Sequence, residues 1–124
     1  MPFTTGLITN TRAFGTAAST VAVNTRNITS TPITVLMEVY VVPPATNTLT
    51  LIYVTGFTLA GHSSDTREFS VAGDIAWEVQ LDQSGILSEV AFSVFGLDEF
   101  GNLVHGQNIK VEDWMPITAF SSPL

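Results

Sequence analysis

The sequence predicts an all-β protein: a single antiparallel β-sandwich of about seven to nine strands with an extended N-terminal arm. Three observations predict it. Apolar and polar residues alternate with period two along most of the chain, without the 3.6-residue spacing of an amphipathic helix. Clusters of Gly, Pro, Asn, Asp and Ser interrupt the alternation at short intervals, as in sandwiches built from short strands. A length of 124 residues supplies one core and not two. Pattern alone leaves the trace open between jellyroll and immunoglobulin-like.

The elements follow in order. Residues 1–19 read as an arm or connector, with Phe3, Leu7, Ile8 and Phe14 as its large apolar residues and Gly15 to Ser19 as a joint. "VAVNTRNI" is a strand with Val21 and Val23 on one face, and the "TSTP" turn delivers Pro32 to the start of the next. In "ITVLMEVYVV" the odd residues Ile33 to Val41 face the core, and Thr34, Leu36, Glu38, Tyr40 and Val42 face away. Pro43 and Pro44 stop that strand because neither donates a ladder hydrogen bond. "TLTLIYVTGFTL" is one bent strand or two, with Gly56 as the bend. "GHSSD" is a loop, "TREFSV" a short strand and "AGD" a turn. "IAWEVQLD" sets Trp77, Val79 and Leu81 on a dry face against Ala76, Glu78 and Gln80 on a wet one. "EVAFSVFGL" opposes Val90, Phe92 and Val94 to Ala91, Ser93 and Phe95, with both faces largely buried. The body thus runs over 20–113, and 114–124 is a C-terminal tail carrying Trp114, Met115, Ile117 and Phe120. The expected core is Val35, Met37, Val39, Leu51, Phe69, Trp77, Val79, Leu81, Phe92 and Val94.

Composition excludes several functions. Eleven acids against four bases give a net charge of −7, which opposes a nucleic-acid partner. Residues 1–37 carry Arg12 and Arg26 and no acid, so the leader is weakly basic and the body acidic. Charged residues make up 12 % of the chain, roughly half the usual share, so part of the surface is expected to meet protein. Without cysteine there is neither a disulfide framework nor a thiolate metal site. The longest apolar runs fall short of a membrane-spanning helix, and the N-terminus lacks a basic start followed by an apolar h-region.

The polar chemistry is concentrated in "VAFSVFGLDEFGNLVHGQNIKVEDW", where Asp98, Glu99, His105, Lys110, Glu112 and Asp113 lie close together. "DEFGN" joins two extended segments and has hairpin chemistry: Asp98 can accept from nearby N–H groups, and Gly101 with Asn102 can take positive φ. His105 is then an ordinary strand residue. His62 stands near Ser and Asp in "AGHSSD", but adjacency in sequence does not make a triad. "NIT" at Asn27 is a three-residue glycosylation match that carries no weight. The chain has no phosphate loop, paired metal histidines, nucleophile elbow or calcium loop. It therefore reads as a non-enzyme without catalytic residues, cofactor or metal.

Large apolar residues in tails rarely stay in water. Either they fold back on their own sandwich or they pair with the sheet of a neighbour; the second is the expectation, with Phe3, Leu7, Ile8, Arg12 and Phe14 as the assembly interface and the arm added as a strand to a neighbouring copy. "NTRNITSTPITVLMEVY", "WEVQLD" and "VFGLDEFGNLV" resemble segments of small β-sandwich surface proteins of spore-forming Firmicutes, and through them the endospore appendage subunits. The resemblance implies a jellyroll-like, spore-surface or extracellular structural subunit that polymerises through an N-terminal connector. Those connectors use cysteines; here only strand pairing and burial are available. The expected partners are copies of the chain itself, in a filament or layer. The alternatives are a module binding surface carbohydrate through Tyr40, Tyr53, Trp77 or Trp114, and a phage or virion decoration protein.

Overall fold

The computed structural model describes residues 2–10, 17–86 and 88–121. Two antiparallel sheets face one another across one core. Seven long strands build the body: β3 (Thr20–Asn27), β4 (Ile33–Val42), β5 (Thr50–Leu59), β6 (Ser63–Ser70), β7 (Ala76–Gln83), β8 (Val90–Leu97) and β9 (Leu103–Ile109). Three two-residue strands come from the chain ends: β1 (Phe3–Thr4), β2 (Ile8–Thr9) and β10 (Met115–Pro116). One sheet runs β10-β1-β7-β4-β5, with β2 also on β7, and the other runs β6-β3-β8-β9.

This order decides the trace. Taking β1 and β2 as one interrupted strand, β2-β7-β4-β5 against β8-β3-β6 is the order of strands two to eight of a jellyroll. The edge beside β8, where a jellyroll's first strand would pair, is taken by β9 instead. That replacement is possible because the "DEFGN" hairpin returns the chain directly alongside β8.

The core forms as the alternation requires. Val21 and Val23 of β3, the odd residues of β4, Trp77, Val79 and Leu81 of β7, and Val90, Phe92 and Val94 of β8 are buried in one cluster with Phe69 and Val71. Leu51 departs from expectation and is only half-buried. It lies where the β4–β5 register shifts, between Val39 and Tyr40, which leaves Ile52 as an extra residue on β5. The irregularity is thus at Ile52 and not at Gly56, and β5 is one strand. "GHSSD" is also corrected: Ser63, Ser64 and Asp65 belong to β6, which pairs with β3 along its full length.

The wet face of β7 is a further correction, since Gln80 and Ala76 are buried, and so are Glu38, Tyr40 and Val42 on the outer face of β4. Tail residue Ser121 lies on this outer face, where its N–H donates to Gln80 Oε1 at 2.9 Å. The tail is not an appendage: β10 pairs with β1, and Trp114 is buried against Phe92, ring centroids 4.7 Å apart.

At the end of the sandwich where β3 stops, Asn27 is fully buried and ties two loops together, β3–β4 and β5–β6. Its Nδ2 donates to the carbonyls of Thr31, Leu59 and Ala60 at 2.9, 3.3 and 3.2 Å. Its Oδ1 accepts from the Thr29 N–H at 3.0 Å and the Thr29 hydroxyl at 2.7 Å. An amide so engaged is a structural bolt, and the glycosylation match has no accessible acceptor in the fold.

Candidate assembly surface

Sequence reasoning assigned assembly to the arm. The structure seats residues 2–10 along the outer edge of β7 of the same chain. Phe3 pairs with Leu81 and Thr4 with Gln80; Ile8 pairs with Trp77 and Thr9 with Ala76. Between the two short strands the arm breaks at Gly6, φ +72°, and a side chain takes over the ladder. The Thr5 N–H donates to the Val79 carbonyl at 3.0 Å, and the Val79 N–H donates to the Thr5 hydroxyl at 3.1 Å. A hydroxyl standing in for a main-chain carbonyl lets the strand bulge at Gly6 and rejoin at Ile8 without leaving the Val79 N–H unpaired.

The side chains of the arm divide by face. Phe3 and Ile8 point inward and pack on the core, Phe3 against the Phe92 ring at 5.7 Å between centroids. Leu7, at the break, is 57 % exposed. Arg12 and Phe14 lie outside the described residues. Thr4 faces outward and donates to Glu78 Oε2. Of the expected joint, Ala17 and Ala18 are buried and Ser19 is bonded on both sides, to the Leu97 carbonyl and from the Val71 N–H; residues 15 and 16 lie outside the described residues.

Asn10 closes the arm. Its N–H donates to the Ile75 carbonyl at 2.8 Å, and its side chain clasps Ala18, donating to the carbonyl at 3.1 Å and accepting from the N–H at 2.8 Å. Gln107 of β9 donates to Asn10 Oδ1 at 2.9 Å and to the Thr9 carbonyl at 3.1 Å, and its own Oε1 accepts from the Trp77 indole at 3.2 Å. Neither Asn10 nor Gln107 stood out in the sequence; both are small polar residues in polar surroundings, and only their burial marks them. Beside them, burial pushes the Asp74 carboxyl above its ordinary value.

A second polar cluster lies on the outer face of the same sheet. Tyr40 donates to Glu38 Oε1, and Gln80 Nε2 donates to Glu78 Oε2 at 2.8 Å and to Ser121 Oγ at 2.6 Å. Glu38 is fully buried, and its Oε2 has no hydrogen-bond partner among the described residues. A buried carboxylate oxygen without a donor costs more than a neutral amide at the same place. Glu38→Gln, which keeps an acceptor for Tyr40, is therefore expected to stabilise the fold by about 1–2 kcal/mol. Urea unfolding checks this, and a loss of stability would mean that the second carboxyl oxygen is satisfied in the folded chain.

The Asp98 to His105 stretch is a hairpin. Asp98 Oδ1 accepts from the N–H groups of Phe100 and Asn102, both at 2.9 Å, and the Asp98 N–H donates to the Asn102 carbonyl at 2.8 Å. Gly101 takes φ +82°, and Asn102 does not share the positive φ expected of it. Glu99 is exposed at the tip, and His105 is exposed on β9. His62 is exposed at φ +56°, its N–H bonded to the Thr29 carbonyl at 2.9 Å. Among the described residues no three His, Asp or Glu side chains converge as a metal site, and no helix is long and apolar enough to cross a membrane. Of the aromatics considered as a sugar platform, Tyr40, Trp77 and Trp114 are buried and Tyr53 is exposed.

Compared with protein-family models, with curated proteins and with solved structures, the chain matches none.

Proposed function

We propose that the chain is a structural subunit that assembles with copies of itself through its N-terminal arm, as an extracellular or spore-surface filament or layer. The observation that carries this reading is the arm's seat on β7. The Thr5 exchange with Val79, the Phe3 ring on Phe92 and the Asn10 clasp on Ala18 all join residues 2–10 to groups that follow residues 11–16 in the chain. The arm of a second copy offers the same groups to the same edge, so exchange leaves the contact energy unchanged and is set by concentration and by the connection through residues 11–16. Reciprocal exchange closes a dimer; exchange passed from copy to copy makes a chain. The resemblance to spore-surface subunits supports the second form.

The test is the size of the particle with and without the arm. In sedimentation velocity the full chain is expected to grow with concentration beyond a dimer, and a chain lacking residues 1–10 is expected to go no further than a dimer and to bind a synthetic peptide of residues 1–10. A full chain that remains monomeric at high concentration would mean that the arm serves only its own sandwich.

A further inference from the structure

Among the described residues the strand order of the two sheets ends in β10, β5, β6 and β9, and three of these four edges are blunted. β10 has two residues, one of them Pro116, which donates no ladder hydrogen bond. β9 pairs irregularly with β8, its register shifting between Phe95 and Leu97. β6 carries Asp65, Arg67 and Glu68; Arg67 donates to Asp65 at 2.9 Å and lies 3.8 Å over the Phe57 ring, so charge guards that side of the sandwich.

β5 carries no charge of its own; the Arg67 that donates to its Thr55 at 3.2 Å reaches it from β6 and is already paired with Asp65. Its ten residues, TLIYVTGFTL, contain no charge and no proline, and among the described residues no strand pairs with its outer side. Exposed apolar side chains concentrate on it: Ile52 at 37 %, Tyr53 at 38 % and Val54 at 47 %, with Leu49 just before it at 41 %. A long, uncharged, apolar edge is a template for another strand.

We infer that β5 pairs antiparallel with β5 of a second copy, joining their sheets across a two-fold axis. Three features select this occupant. Net charge −7 opposes contact between copies, and β5 contributes no charged side chain of its own to such a ladder. The regular stretch from Tyr53 to Leu59, beyond the bulge at Ile52, is self-complementary. Centred on Gly56, it sets Tyr53 against Leu59, Val54 against Thr58 and Thr55 against Phe57, every pair sharing a face and combining aromatic, aliphatic or β-branched residues. Finally, an isologous contact satisfies both edges at once, leaving no further copy of the edge to recruit. The contact is independent of the arm, which lies at the opposite side of the same sheet.

Val54 is the residue to change, because its side chain is exposed and its replacement leaves the core untouched. In the full chain, Val54→Lys is expected to weaken association roughly tenfold or more by placing cations near the axis, while the neutral, β-branched Val54→Thr stays within about threefold of the parent. Hydrogen exchange supplies a readout that needs no variant: amides of residues 53–59 should gain protection as the parent protein is concentrated. Sedimentation of folded Val54→Lys indistinguishable from the parent overturns the inference, as does a parent that never associates. Concentration-independent exchange along β5 in a parent that does associate also overturns it and assigns the edge to a different partner. Association lost on removing the arm but kept in Val54→Lys leaves the arm's role standing and removes this one; the opposite pattern removes the arm's role alone.

Discussion

Trp77→Ala is expected to cost about 3–5 kcal/mol, a large part of the roughly 5–15 kcal/mol that holds a domain of this kind folded. Trp77 is fully buried on the inner face of β7, paired with Val41 on one side and Ile8 of the arm on the other. Truncation leaves a cavity where the indole stood and takes the donor from Gln107 Oε1, whose amide in turn holds Thr9 and Asn10. The damage is therefore expected to reach the arm: proteolysis should release residues 1–10 faster in Trp77→Ala than in the parent. Trp77→Phe keeps most of the volume but not the indole N–H, and should lose about 1–2 kcal/mol. Chemical denaturation followed by circular dichroism measures both. A cost below about 1 kcal/mol for the alanine variant would place Trp77 outside the core.

Asn27→Ala is expected to destabilise by about 2–4 kcal/mol, and Asn27→Asp by at least as much. The alanine strips the donor from three carbonyls and the acceptor from Thr29. The aspartate restores the acceptor to Thr29 but turns a carboxylate oxygen towards the Thr31, Leu59 and Ala60 carbonyls, where an N–H is needed. Thermal unfolding of the two variants separates the halves of the network. An aspartate variant as stable as the parent would show that the Thr29 bonds alone matter.

Much of the sandwich was legible in the sequence because burial on one side of a strand imposes a period of two. The bounds of β4 and the inward residues of β3, β7 and β8 follow from alternation alone. The hairpin at Asp98 was equally legible, since the turn is stabilised by groups within five residues of one another. Of the expected assembly residues, Phe3 and Ile8 were correctly read as too apolar to remain in water. Hydropathy could not say whose surface receives them, because a strand is recognised by an edge and not by a neighbour in sequence.

What the sequence by itself determined, then, is the class of the fold: local alternation, prolines and turn residues act over a few positions and leave strands as the elements that bury the apolar face. Only the tertiary structure decided the rest. The jellyroll order, the replacement of its first strand by β9 and the seating of the arm on β7 depend on which edges meet. Glu38 and Gln80 look like solvent-facing residues in a one-sided strand, and both are buried in the folded chain. At Gln80 the reason is visible: Ser121, forty-one residues away, reaches its amide. Such contacts are long-range, and the chain carries no local mark of them because the same polar side chain suits water and a hydrogen-bonded interior equally well.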